Sequence, residues 1–356
     1  MIRWIQLGLF SPILRLHSNW NQSIVREPWL RGPECRKIMT EVLQLRHKMI
    51  PYLYTMSVRA TLEGRSLVEP MYYDHPTEDY AYRNKNEFLF GSEMIVAPIT
   101  QKKVFCTDMG SVECWLPHGR YVDLFTGTTY DGDRVIVMHR TADSIPVLCG
   151  AGSIIPLDNS PEVSTTNGAP IPSALEIIVT VGVDAEFTIV EDDGTGEDVD
   201  HIKFCRTPIK YIQKSGQIII GPTNDPLVQA RDWTIQLPAF PLDHIGKIKV
   251  KAGKSAADFE VKQDNKSVII HIKNPVSAND QVTIELGTDL RMRDNDLLSK
   301  VDQFLKRAQI EHDTKFEVLT IIKANLTRAV LVSRIEATKM DPEVQSALME
   351  FILANA

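Results

Sequence analysis

Apolar residues recur with two different periods along this 356-residue chain, and the switches between them divide it into four zones. In the first, residues 1–64, Trp4, Ile5 and Leu9 fall at helical spacing. Pro12 disfavours helix at Ser11 and ends that run. Ile13-Leu14-Arg15-Leu16-His17 is then short and apolar enough for one buried strand. From Glu34 onward, Ile38, Val42, Leu45, Met49, Leu53 and Met56 share one face of a long amphipathic helix. Pro51 removes an amide donor inside that helix and predicts a kink, and Gly64 supplies a C-terminal stop.

The second zone, 65–158, carries short apolar runs at 87–91, 94–98, 113–116, 121–124, 135–138 and 145–148, separated by Gly, Pro and Asp. This spacing predicts an antiparallel sandwich. Tyr130-Asp131-Gly132-Asp133 has the Asp-Gly chemistry of a tight hairpin turn. The third zone, 170–288, alternates apolar with polar residues at 175–181, 185–190, 233–237, 267–272 and 281–286, which predicts a second sandwich with a wet face. Residues 159–172, rich in proline and small polar side chains, read as a linker. The fourth zone, 290–356, returns to helical stripes: Leu297, Val301, Phe304 and Leu305, then Val318 and Ile322, then 326–335, with Asp341-Pro342 opening a last helix. The expected fold is mixed α and β.

Composition narrows the function classes. Hydrophobic residues at 43% and charged residues at 24% are ordinary for a globular protein. A net charge of −7 argues against nucleic acid or an anionic membrane surface as partner. No apolar run reaches the length of a membrane span, and the first residues lack the apolar core and cleavage site of a signal peptide. The five cysteines are odd in number and form no CxxC, which favours buried thiols. Cys106 and Cys114 are spaced so that they could pair across a hairpin, whereas a zinc site needs closer spacing and histidine partners. No GxGxxG, P-loop or GxSxG motif occurs, and no cofactor or metal is expected.

Several stretches, taken in chain order, carry a family resemblance. Arg3-Trp4-Ile5-Gln6-Leu7-Gly8-Leu9-Phe10-Ser11-Pro12 with Arg15-Leu16-His17 resembles the late-barrel segment of glycoside hydrolase family 31, the α-glucosidase and α-xylosidase family. Leu45-Arg46-His47-Lys48-Met49-Ile50-Pro51-Tyr52-Leu53-Tyr54 resembles the helix that follows it there. Glu87-Phe88-Leu89-Phe90-Gly91, Ile95-Val96-Ala97-Pro98, Gly150-Ala151-Gly152-Ser153-Ile154-Ile155-Pro156 and Val190-Glu191-Asp192-Asp193-Gly194 resemble later marks of the family. The resemblance implies the last unit of a (β/α)8 barrel over 1–64, a proximal sandwich over 65–158 and a distal one over 170–288. The helical tail, 290–356, matches nothing in it. By the same resemblance the aspartate nucleophile and aspartate acid/base of the family are expected upstream of Met1.

Retaining glycoside hydrolysis needs two carboxyl groups about 5–5.5 Å apart. The acidic groups present here, Glu191/Asp192/Asp193, Glu78/Asp79 and Asp294/Asp296, lie in predicted turns or at a helix start, so a solvated turn or cap is the better reading of each. His17 stands apart. Its position at the end of a short apolar run becomes, by the resemblance, the carboxyl end of the eighth barrel strand, the face on which barrel sites are built. The resemblance makes His17 a ligand of sugar hydroxyls. Arg15, two residues earlier, shares its side of a strand and could hold a carboxylate or buttress the site. Read from spacing alone, the pair is a surface Arg/His at a strand end. His47 reads as solvated beside Arg46 and Lys48, His118 as a turn residue, and His139, His201 and His271 as lacking metal-like partners.

These readings lead to an α-glycosidase portion that acts on an α-linked glycoside or oligosaccharide, with the remaining barrel as a partner if it is a separate chain. The alternative is a non-enzymatic carbohydrate-binding or interaction module built on the sandwiches. A split reading frame is a third. A single barrel unit bares Trp4, Leu9, Ile13 and Leu16, each worth about 1.5–3 kcal/mol when buried, so residues 1–64 are expected to be the least stable zone unless packed on the next sandwich.

Overall fold

The computed structural model describes residues 1–21, 23–161, 169–195 and 202–355. Helix α1 (Ile2–Leu9) buries Ile5, Gln6 and Leu9 and turns Trp4 outward. Helices α2 (Pro33–Lys48) and α3 (Ile50–Glu63) follow. The break between them falls at Met49 (φ −76°, ψ −2°), two residues before the expected kink. Pro51 therefore sits in the first turn of α3, where a missing amide donor costs nothing. Gly64, at φ +70°, closes α3.

Residues 13–17 do not form the expected strand. A barrel strand is held by ladders to its neighbours, and among the described residues no segment pairs with this one. Ile13 is 84% exposed, while Leu14 and Leu16 pack partly against the core.

Short strands and one short helix come next: β1 (Val68–Pro70), α4 (Asp79–Arg83), β2 (Phe88–Phe90), β3 (Met94–Val96), β4 (Gly110–Leu116), β5 (Arg120–Asp123), β6 (Thr129–Asp131), β7 (Arg134–Arg140) and β8 (Val147–Gly150). Strands β1, β2, β3, β8, β5 and β6 make one antiparallel sheet in that order, and β4 pairs with β7. The Asp-Gly turn at 131–133 therefore joins strands of different sheets and closes no hairpin. Gly132 donates its N–H to the Gly119 carbonyl at 2.8 Å, and a Cβ on Gly132 would lie 2.0 Å from the Pro117 carbonyl oxygen.

The next strands are β9 (Ile154–Asp158), β10 (Ala174–Val179), β11 (Ala185–Glu191), β12 (Cys205–Ile212), β13 (Gln217–Ile220), β14 (Ala230–Pro238), β15 (Lys249–Ala252), β16 (Ser255–Ala256), β17 (Phe259–Gln263), β18 (Ser267–Ile272), β19 (Val276–Ser277) and β20 (Val282–Glu285). One sheet runs β17-β18-β14-β10-β9, with β19 on β14; the other runs β11-β12-β13-β20-β15-β16. Strands β10 and β14 pair in parallel, Leu175 opposite Trp233, within otherwise antiparallel sheets. Ile177, Ile235 and Ile270 of one sheet share a core with Ile189, Ile209 and Ile284 of the other. Half of the expected linker, 162–168, lies outside the described residues, as does His201.

Helices α5 (Leu297–Arg307), α6 (His312–Lys323), α7 (Arg328–Ala337) and α8 (Pro342–Leu353) end the chain around Val301, Phe304, Val318, Ile335 and Leu348. Asp296 caps α5 and Asp341 caps α8 through their side chains.

The helices at the start dock on the sheets. Arg3 donates to the carbonyls of Arg140 (2.9 Å), Thr141 (3.0 Å) and Ser144, and Gln6 donates to the Ala142 carbonyl at 2.8 Å. Tyr52, fully buried, donates to the Phe90 carbonyl at 2.8 Å and stacks on Phe187. Gly91 (φ +64°) makes room for it, since a Cβ there would stand 2.1 Å from the Tyr52 hydroxyl. Thr55 Oγ1 accepts from the Val190 amide at 3.1 Å.

Candidate functional site

His17 and Arg15 line the same open depression, of about 570 Å³, with Trp4, Arg26 and Arg31. The segment carrying them is fixed from α2, not by a sheet. Arg46 Nη1 donates to the carbonyls of Gly8 (2.9 Å), Leu9 (3.0 Å) and Ser11 (2.8 Å), and Nη2 to that of Pro12 (3.1 Å). One guanidinium thus satisfies the carbonyls left over where α1 ends and sets the path of the chain toward His17. On the far side Arg26 Nε approaches the His17 carbonyl at 3.4 Å, and Arg31 bonds the Val25 carbonyl. Glu27 accepts from the Arg26 amide at 2.8 Å; its own and the Arg26 backbone amides hold its pKa below the ordinary value.

Both predicted site residues are solvent-exposed. Guanidinium and imidazole donors lie beside an indole, 64% exposed at Trp4. Among the described residues lining the depression none is a carboxylate. Nothing there can attack an anomeric carbon or protonate a leaving oxygen.

The acidic groups found in the sequence are engaged elsewhere. Glu191 pairs with Arg231 at 2.8 Å, and Asp192 and Asp193 accept from the amides of Gly194 and Thr195. Asp79 faces Arg83 at 3.5 Å, and Asp294 bonds Arg120. His118 faces Asp133 at 2.7 Å, and His271 faces Thr234 at 3.2 Å. His47 is half-buried, and its neighbours are not free on a solvated face: Arg46 makes the bonds above, and Lys48 reaches Asn159 at 3.0 Å. The five cysteines are free thiols, so Cys106 and Cys114 do not pair. Among the described residues no group of three or more His, Cys, Asp or Glu could hold a metal ion. Among the described residues no helix is long and apolar enough to cross a membrane.

One ionisable cluster was not legible in the sequence. Arg140, on β7, donates to Asp123 at 2.8 Å, to Glu350 of α8 at 2.7 Å and to the Tyr130 hydroxyl at 3.0 Å. Glu350 also accepts from the His139 amide (2.6 Å) and Tyr130 Oη (2.7 Å), and lies 3.1 Å from His139 Nδ1. All five side chains are buried. Burial pushes the Glu350 carboxyl up, but Arg140 and His139 together outweigh it and hold its pKa at about 2.

The chain thus sets a helical unit against successive β-sheets, with a donor-lined depression beside the helices. Two parts of the chain match glycosyl hydrolase family 31. Residues 1–56 match that family's TIM-barrel domain and residues 64–155 its C-terminal domain. It is 25% identical to an alpha-xylosidase of Saccharolobus solfataricus over 62% of this chain and 29% of that protein. It is 30% identical to a probable glucan 1,3-alpha-glucosidase of Arabidopsis thaliana over 54% and 20%, and 26% identical to alpha-glucosidase 2 of Bacillus thermoamyloliquefaciens over 74% and 32%. The chain thus spans about a fifth to a third of these relatives' lengths. Its fold is shared with a Flavobacterium johnsoniae GH31 dextranase complexed with glucose (TM-score 0.65, 23% identity, 80% of this chain and 37% of that one). It is likewise shared with a glucosidase II alpha subunit (TM-score 0.64, 22% identity, 80% and 33%).

Proposed function

We propose that this chain supplies the sugar-binding edge of an α-glucoside or α-xyloside hydrolase site, with His17 donating to sugar hydroxyls and Arg15 supporting it. The observation that carries this reading is the convergence of His17, Arg15 and Trp4 on one depression that holds donors and an aromatic face but no carboxylate. Hydrolysis by the retaining two-carboxylate route would draw its nucleophile and its acid/base from the other strands of a barrel. The relatives act on or hold α-linked glucose and xylose compounds, which makes such a glycoside or oligosaccharide the substrate class.

The test is turnover of p-nitrophenyl α-glucoside and α-xyloside. The chain alone is expected to be inactive. Activity is expected when it is co-refolded with the first seven βα units of a family 31 barrel, and His17→Ala in that complex should cost on the order of 10²-fold in kcat/KM. Saturable turnover by the isolated chain sinks the proposal. So does a complemented complex that ignores His17→Ala. A non-enzymatic carbohydrate-binding module is the second reading. Malto-oligosaccharide binding that survives deletion of residues 1–64 would favour it.

A further inference from the structure

A second cavity, of about 530 Å³, lies where three parts of the molecule meet: α2, the 139–144 end of β7 with its loop, and α5 of the helical tail. Ile38 and Val42 of α2, Phe125 and Phe304 give it an apolar floor. Its size is that of a small-molecule site.

The charges around it are unevenly satisfied. Arg140 is saturated by Asp123, Glu350 and Tyr130, so it adds no free charge. Glu41 pairs with Lys37 at 3.9 Å, and Asp143 accepts from the Thr141 hydroxyl and faces Arg3. Lys266, Lys300 and Arg307 have no carboxylate at ion-pair distance among the described residues. Lys300 instead donates to Thr128 Oγ1 at 2.8 Å. Burial, and then the nearby Arg140, bring its pKa down to about 8 against the weaker opposing pull of Asp123 and Glu350. His139 adds a second unmet group: its Nε2 is buried without a partner while Nδ1 faces Glu350.

We propose that this cavity binds a small phosphorylated ligand, its phosphate held by Lys300 with Lys266 and Arg307 at the mouth, and its uncharged body on the apolar floor. A phosphate supplies acceptors for all three cations. A neutral sugar would leave the cations unmatched. The proposal does not depend on the role of His17, which lies in the other depression.

Calorimetric titration and thermal shift of the full chain would use inorganic phosphate, a hexose 6-phosphate and glucose. Both phosphates are expected to bind and raise Tm, the hexose phosphate more tightly, and glucose to do neither. Lys300→Met should weaken phosphate binding on the order of tenfold. Because that residue is half-buried, the exposed double variant Lys266→Ala/Arg307→Ala serves as a second arm that leaves the core intact, and it should weaken binding severalfold. Absence of binding at millimolar phosphate overturns the proposal. Equal binding by wild type and both variants, or glucose binding as well as the hexose phosphate, overturns it too.

Discussion

Arg46 shows how a site can depend on a side chain thirty residues from it. Its guanidinium collects four carbonyls, from Gly8 to Pro12, at 2.8–3.1 Å. Sequence reasoning singled out Arg15 and His17 through a motif but gave Arg46 no role, because nothing in local spacing shows which distant carbonyls lack donors. Arg46→Met should cost about 2 kcal/mol in urea denaturation, since hydrogen bonds to a charged donor are each worth about 1.5–3 kcal/mol and water replaces some of them. A stability loss indistinguishable from zero would mean the α1 C-terminus needs no such cap. Glu87 makes a pH-dependent case. Burial raises its carboxyl pKa to about 8, one oxygen accepts from the Trp115 amide at 2.7 Å, and the other has no partner. A raised folded pKa stabilises the protonated form, so this contribution is present below the ordinary value of 4.5 and lost as pH rises through about 8. Glu87→Gln, which mimics the neutral acid, should flatten the fall in stability between those limits. Identical pH profiles for variant and wild type would refute a neutral Glu87.

At the scale of elements, the periodicities located the runs but not their partners. The runs at 87–91, 94–98, 113–116, 121–124 and 135–138 all contain strands. Yet the predicted Asp-Gly turn does not join hydrogen-bonded neighbours. The 131–133 turn leads from β6, which pairs with β5, to β7, which pairs with β4. The 182–184 turn leads from β10 to β11, in different sheets. Asp-Gly chemistry specifies a local change of direction, and a chain crossing between the sheets of a sandwich needs that as much as a hairpin does. The parallel β10–β14 pair was hidden for a similar reason, because alternation reports which face is buried and not strand direction. The 13–17 run reads as a strand from its apolar residues, but a strand exists only with a ladder. Gly132 gives the crossing turn a test. In Gly132→Ala the new Cβ meets backbone oxygens of Pro117 and Gly119, which cannot rotate away as a side chain could. The expected cost is about 1–3 kcal/mol, read as a lower urea midpoint. An unchanged midpoint would show that the turn relaxes freely.

At the scale of the whole molecule, the helices of residues 1–64 do not stand as an open fragment. Leu9 is fully buried, Arg3 and Gln6 grip the 140–144 loop, and Tyr52 and Thr55 reach β2 at Phe90 and β11 at Val190, which is the packing that would exempt this zone from being the weakest. The same β7 end that α1 grips is held from the other side by the tail, through Glu350. That carboxylate is 1% exposed and bonds Arg140, Tyr130 and His139 at once, so the tail cannot lift away without breaking all of these contacts together. Neither the helical stripes nor composition pointed to this contact, since Glu350 sits in an amphipathic pattern where a glutamate ordinarily faces water. Glu350→Gln should therefore destabilise the chain at neutral pH by about 1.5–3 kcal/mol, the worth of a hydrogen bond to a charged group, since Arg140 keeps Asp123 as its buried partner. The pH dependence has the opposite sign to that of Glu87. A folded pKa of about 2 against an ordinary 4.5 means that Glu350 contributes stability above 4.5 and loses it as pH falls toward 2. Equilibrium denaturation of wild type should show that loss, and Glu350→Gln should lack it while starting from a lower plateau. If the variant instead keeps the wild-type plateau at neutral pH, the ion pair is not what fastens the tail, and the apolar contacts of α8 with the sandwich suffice.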